Sequence, residues 1–200
     1  KMPERITLEV QYHLHKSKDF IYVVDQAGNA KIVGRNGKQR IGLGALPLAD
    51  TYHIDKQYGY IYSTDTQANV WLTDLEGKQS KIKSNNLTNP HHFIAQNINK
   101  DELTELIISE EKLSCYQLEA EVFDYATKSD YAPQIFEFNS QHYIGLSQGE
   151  NFYLLKSNGN LYPGMPLYGQ GAFNCTDTDK DGQLNLVIGS GDLLYNYSLE

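Results

Sequence analysis

A block of sequence returns after forty residues. Tyr12-His13-Leu14-His15-Lys16 recurs as Tyr52-His53-Ile54-Asp55-Lys56, Ile21-Tyr22 as Ile61-Tyr62, and Asn36-Gly37-Lys38-Gln39 as Glu76-Gly77-Lys78-Gln79. The rest of the chain keeps this phase with small slips. Each unit has a strand-like segment, a second one running into a tight turn, and a return strand; four of the five returns close on a small residue (Gly37, Gly77, Ala120 and Gly159). The turn residues are Gly28-Asn29, Ala68-Asn69, Glu111-Lys112, Glu150-Asn151 and Gly191-Asp192, read as two-residue hairpin loops that need positive φ, with Glu111-Lys112 the poorest fit. Fifteen tyrosines and sixteen glycines among 200 residues suit short strands and turns. No stretch sustains a helical period; the most helix-like, 98–112, carries Leu106-Ile107-Ile108 where other units have their second strand.

A period near forty residues is the size of one four-stranded propeller blade. The expected fold is all-β: a single propeller domain over 1–200, with units near 10–49, 50–89, 90–131, 132–170 and 171–200 plus 1–9. First strands fall at 12–15, 52–55, 92–95, 134–137 and 172–175. The last unit stops before its fourth strand, so segment 4–8 is expected to supply it and close a five-bladed ring. A fragment of a ring of six to eight blades would show the same phase, and the opening Lys1-Met2-Pro3 reads as an internal start within a longer protein. A formal charge of −8 argues against nucleic acid or an anionic membrane as partner, and no apolar run approaches the ~20 residues of a membrane span.

The strongest chemical motif is Asp177-Thr178-Asp179-Lys180-Asp181-Gly182-Gln183-Leu184-Asn185. Side-chain oxygens at Asp177, Asp179, Asp181 and Asn185, the Gln183 backbone carbonyl and a glycine at the sixth place suit a loop around Ca²⁺. An EF-hand would need Glu at the twelfth place, which holds Ile188. The alternative is an Asx-rich turn held by its own side-chain to backbone bonds. Eighty residues earlier, Asn97-Ile98-Asn99-Lys100-Asp101-Glu102-Leu103-Thr104-Glu105 repeats the oxygen spacing without the glycine, which speaks for shared ancestry more than for metal.

Taken with Phe173 through Tyr197, these features resemble β-propellers of the quinoprotein-like and FG-GAP/VCBS repeat kind, over essentially the whole chain. The last stretch is similar to the C-terminal propeller of large bacterial envelope proteins. The resemblance implies a calcium loop linking first and second strands, although Asn185 stands where an aspartate is usual. It also implies an exported, extracytoplasmic, non-catalytic module. It does not imply a pyrroloquinoline quinone (PQQ) enzyme, because Trp71 is the sole tryptophan.

Other constellations carry weaker expectations. His13, His53 and His92 share similar places on three first strands, either as a shared metal layer or as hydrogen-bonding legacies of the repeat. Asp55 and Glu137 are the carboxylates a glycosidase reading would need, against the plainer reading of salt-bridged or solvated acids. Cys115 and Cys175 read as buried free thiols. The tyrosines read as wedge fillers with hydroxyls at the rim. Loops 43–50, 84–90 and 162–171 are the irregular ones; within the last, Tyr162, Met165, Leu167 and Tyr168 form the expected contact patch for a protein or glycan surface. The leading expectation is a binding or scaffolding module, with a lectin-like propeller and a glycosidase-like hydrolase as rivals.

Overall fold

The computed structural model describes residues 5, 6, 8–15, 17–85, 87 and 90–199. Segment 4–8 includes Glu4 and Thr7, and loop 84–90 includes Asn86, Thr88 and Asn89, which lie outside the described residues. The described residues hold nineteen strands in five antiparallel sheets, and no helix. In chain order the sheets are β1–β4 (Gln11–His15, Lys18–Val24, Asn29–Val33, Gln39–Ala45), β5–β8 (Tyr52–Ile54, Ile61–Thr64, Val70–Thr73, Gln79–Lys83), β9–β12 (His92–Gln96, Glu105–Ser109, Leu113–Gln117, Ala120–Tyr125), β13–β16 (Gln134–Phe138, Gln141–Gln148, Asn151–Lys156, Leu167–Tyr168) and β17–β19 (Phe173–Thr176, Leu184–Ser190, Leu193–Leu199). The five first strands fall where the repeat places them, and Leu106-Ile107-Ile108 is strand. Of segment 4–8, Arg5, Ile6 and Leu8 take no strand; the Arg5 carbonyl accepts from the Gln26 N–H and Leu8 packs on the first core.

The chain falls into two compact units, Lys1–Gln96 and Asn97–Glu200. The first is organised by its hairpin turns. Asp25 Oδ1 accepts from the N–H groups of Ala27 and Asn29 (3.1 and 2.9 Å), its own N–H donates to the Asn29 carbonyl, and its carbonyl accepts from Gly28 N–H. Asp65 and Asp74 repeat the pattern toward Gln67 and Asn69, and toward Glu76 and Lys78. These are three-residue loops whose last residue is left-handed (Gly28 φ +83°, Ala68 φ +57°), not the two-residue loops expected at Gly28-Asn29 and Ala68-Asn69. The carboxylate satisfies two N–H groups at once, which favours the longer loop. Gly28 is also required sterically, since a Cβ there would meet the Leu46 carbonyl at 2.7 Å.

Above these turns Phe20, Tyr22, Val24, Ile32, Tyr52 and Ile61 form the first unit's core. Tyr22 and Tyr52 are only 1% exposed, so their hydroxyls do not reach a wet rim. Tyr22 Oη donates to the Gly59 carbonyl (3.0 Å) and Tyr52 Oη to that of Glu9 (2.9 Å), satisfying the polar tip inside the core.

A two-residue slip separates the sequence repeat from the structural one. Tyr22 faces Gln11 across β1–β2, whereas Tyr62 faces His53 across β5–β6. Gln11, not His13, therefore occupies the place of His53, and the side chains behave alike. Gln11 Nε2 donates to the Tyr52 carbonyl (2.6 Å) and its Oε1 accepts from Ile54 N–H (3.1 Å), tying β1 to β5. His53 Nε2 lies 2.9 Å from the Phe93 carbonyl, tying β5 to β9. A carbonyl only accepts, so Nε2 carries the proton.

In the second unit Phe152, Leu154, Phe173, Leu184, Leu186 and Ile188 lead the core. Phe173 meets Phe152 edge-on at 4.7 Å. Gly145 admits both rings, since a Cβ there would lie 2.6 Å from Phe173.

Burial holds the His53 pKa below its ordinary 6.5, against the opposing pull of the Phe93 bond and Asp50. The unfolded chain then takes up this proton first as the solution is acidified. The stabilisation is complete above 6.5, begins to decline below it and is lost as pH falls through the lower folded-state pKa. Urea unfolding of the wild type should show declining stability from mild alkali to mild acid. His53→Gln, which installs the Gln11 solution, should keep the strand link and flatten that slope.

Candidate functional site

The chemistry of the second unit gathers on the loop between β17 and β18. Asp177 follows β17 directly; its two carboxylate oxygens accept from Asp181 N–H (3.2 Å) and Gly182 N–H (3.0 Å). Asp181 Oδ1 accepts from Gln183 N–H (2.8 Å), and Lys180 and Gly182 take left-handed φ values of +63° and +86°. The chain thereby curls so that oxygens of Asp177, Asp179 and Asp181 all lie within 4.8 Å of one another. Among the described residues this is the one group of three or more His, Cys, Asp or Glu side chains so placed. At that separation each carboxylate pair repels by about 1 kcal/mol even at the dielectric of water.

Asn185, expected as a further ligand, has another task. It is 3% exposed on β18, and its Oδ1 accepts from both the N–H and the hydroxyl of Thr178 (2.7 and 2.9 Å). It anchors the start of the loop. The Gln183 side chain turns away to β19, its Oε1 accepting from Ser198 Oγ (3.0 Å).

Loop 97–105 has the same construction. Lys100 is left-handed at φ +64°, matching Lys180. Asp101 Oδ1 accepts from Leu103 N–H (2.7 Å), as Asp181 does from Gln183. Buried Glu105 accepts from Ile98 N–H (2.7 Å), as Asn185 does from Thr178. The loops differ in two ways: Asn97 and Asn99 stand where the other has Asp177 and Asp179, with Asn99 Nδ2 donating to Asp101 Oδ2 (3.0 Å), and the third strands offer different partners. Gln117, cross-strand partner of Glu105, sends Nε2 to Asp101 Oδ2 (2.6 Å) and Glu105 Oε1 (3.1 Å). Its amide donors sit where a cation would face the carboxylates. The cross-strand partner of Asn185 is Ser198, whose short side chain is turned to Gln183.

The remaining candidates separate. His13, His53 and His92 form no shared layer: the register slip displaces His13 from the place of His53, and His92 Nδ1 lies 3.8 Å from Asp50. Glu137 pairs with Lys100 at 2.7 Å, and Asp55 caps a turn by accepting from Gln57 and Tyr58 N–H. Cys115 and Cys175 are buried free thiols whose pKa values burial pushes up to about 12.

The expected contact patch is half absorbed by the fold. Leu167 and Tyr168 form β16 against Phe152 and Asn151, which turns Leu167 inward. Tyr162, Met165 and Leu167 pack on the second core, while Tyr168 stays 44% exposed, edge-on to Tyr195 at 5.3 Å. Beside Tyr162 the structure opens a cleft of about 570 Å³ that reaches Gly182 and Gln183 of the aspartate loop. Neither this cleft nor the role of Gln117 is signalled by spacing, because both depend on which residues oppose one another across strands.

Gln117→Ala should leave Asp101 and Glu105 facing each other without their shared donor. A loss of about 1–3 kcal/mol at neutral pH is expected by urea denaturation. Comparison of the sequence with protein-family models and with curated proteins finds no match.

Proposed function

We propose that the chain is a non-catalytic binding module, a five-bladed β-propeller belonging to a larger exported bacterial protein, with one loop pinned by Ca²⁺. The five antiparallel sheets, built from strands taken in chain order, support the propeller reading: four have the four-strand order of a blade, and the fifth has its first three strands. The observation that carries the calcium reading is the contrast between two loops of one construction. In one, a glutamine amide faces the carboxylates. In the other, three aspartates converge and the facing strand offers only Ser198, turned elsewhere. A hard cation bound by Asp177, Asp179, Asp181 and the Gln183 carbonyl would relieve their mutual repulsion. In this reading the metal is structural: it stiffens a loop that a rigid sheet presents to a partner.

Binding to the folded state alone must raise stability by mass action. Excess Ca²⁺ should therefore raise Tm over the chelator-treated protein, by several degrees once its concentration is about a hundred times Kd. Asp181→Asn should abolish most of that rise, while Gln117→Ala should leave it in place. An identical Tm with Ca²⁺ and with chelator would remove the calcium reading.

A further inference from the structure

The cleft beside the aspartate loop has a lining that specifies a ligand chemistry. It lies between the β13–β14 turn and the β17–β18 loop, with Phe138, Tyr143 and Tyr162 as its aromatic surface and Asn139, Gln141 and Gln183 as its polar one. The turn Asn139-Ser140 is left-handed at both residues (φ +47° and +60°), the two-residue type I′ geometry that brings Phe138 and Gln141 opposite each other. Tyr143 and Tyr162 meet edge-to-face at 5.8 Å, which fixes one ring against the other. The amides are oriented too. Gln141 Oε1 accepts from Tyr143 Oη (3.0 Å) and Gln183 Oε1 from Ser198 Oγ (3.0 Å), so both side chains present their N–H₂ groups as donors. Among the described residues no charged side chain lines the cleft, and its volume of about 570 Å³ is in the range of small-molecule sites.

We infer that this cleft binds a neutral saccharide. A pyranose ring has an apolar C–H face and a rim of hydroxyls. The aromatic rings meet the first, and the amide donors meet oxygens of the second. A formally neutral lining offers an anionic ligand no counter-charge, and the chain's own charge of −8 disfavours it further. A purely apolar ligand would leave the amide donors unsatisfied on burial. This inference deepens the binding-module reading and rests on it. Gln183 also joins the two sites, because its backbone N–H is held by Asp181 and the residue lines the cleft.

The test is a glycan array of neutral oligosaccharides of the gluco, galacto, manno, xylo and N-acetylglucosamine series. Isothermal titration calorimetry of the best binder follows, with and without Ca²⁺. Binding by at least one neutral saccharide is expected, weakened about tenfold by Gln183→Ala and by Gln141→Ala. Both side chains are exposed, so these variants should unfold like the wild type; Tyr162→Ala, which also packs on the core, should weaken binding further. The proposal is overturned if no neutral saccharide binds at about 10 mM, roughly the weakest useful affinity. Binding that all three variants leave unchanged also overturns it, as does binding confined to acidic glycans or apolar peptides. Saccharide binding without any calcium-dependent Tm rise supports the cleft and removes the cation. A calcium-dependent Tm with no saccharide bound does the reverse.

Discussion

A buried acceptor on the second strand of a sheet fixes the shape of the loop that leads into it. Asn185 and Glu105 each reach back to the N–H of the loop's second residue, Thr178 or Ile98. With that end tied and a left-handed lysine in the middle, the alternate side chains of the loop turn to one side. In the fifth sheet this brings three carboxylates together, a costly arrangement without a counter-charge. In the third sheet two of those places hold Asn97 and Asn99, and Asp101 Oδ2 accepts from the amides of both Asn99 and Gln117. The two loops share a backbone construction and differ both in their oxygen-bearing side chains and in the group facing them.

That difference has two parts: asparagines at 97 and 99 stand where the other loop has Asp177 and Asp179, and the cross-strand partner is glutamine in one sheet and serine in the other. The glutamine donates two hydrogen bonds to carboxylates; the serine hydroxyl donates to the Gln183 side chain instead. The glutamine loop carries its own counter-group, so its stability should be indifferent to the ions in solution. In the proposed calcium reading the aspartate loop depends on a cation for its order, and Gln183 carries that dependence to the cleft. Binding and loop order would then be linked by a few residues of one segment.

Much of the architecture was legible in the linear sequence. The forty-residue recurrence places all five first strands, and the returning strands begin close to the predicted residues. Register was not legible. Side chains alternate with a period of two, so a slip of two residues keeps every side chain on its face and leaves the hydrophobic pattern unchanged. Aligning His13 with His53 was therefore consistent in sequence and incorrect in space, where Gln11 faces Tyr22 as His53 faces Tyr62. The aspartate trio was legible because its carboxylates lie within one loop. Gln117 and the cleft were not, because their partners come from different strands. The tyrosine hydroxyls were misplaced for a related reason: composition marks Tyr22 and Tyr52 as fillers but does not show that Gly59 and Glu9 offer buried carbonyls to them.

The central claim is that one loop is completed by a cation and its counterpart by an amide. Anomalous diffraction from crystals grown with Ca²⁺, or with Tb³⁺ in its place, tests this most directly. The account predicts one strong peak about 2.3–2.6 Å from oxygens of Asp177, Asp179 and Asp181, and none beside Asp101 and Glu105, where Gln117 remains seated. Peaks of equal height at both loops, or a cation-free aspartate loop with its carboxylates splayed apart, would contradict it.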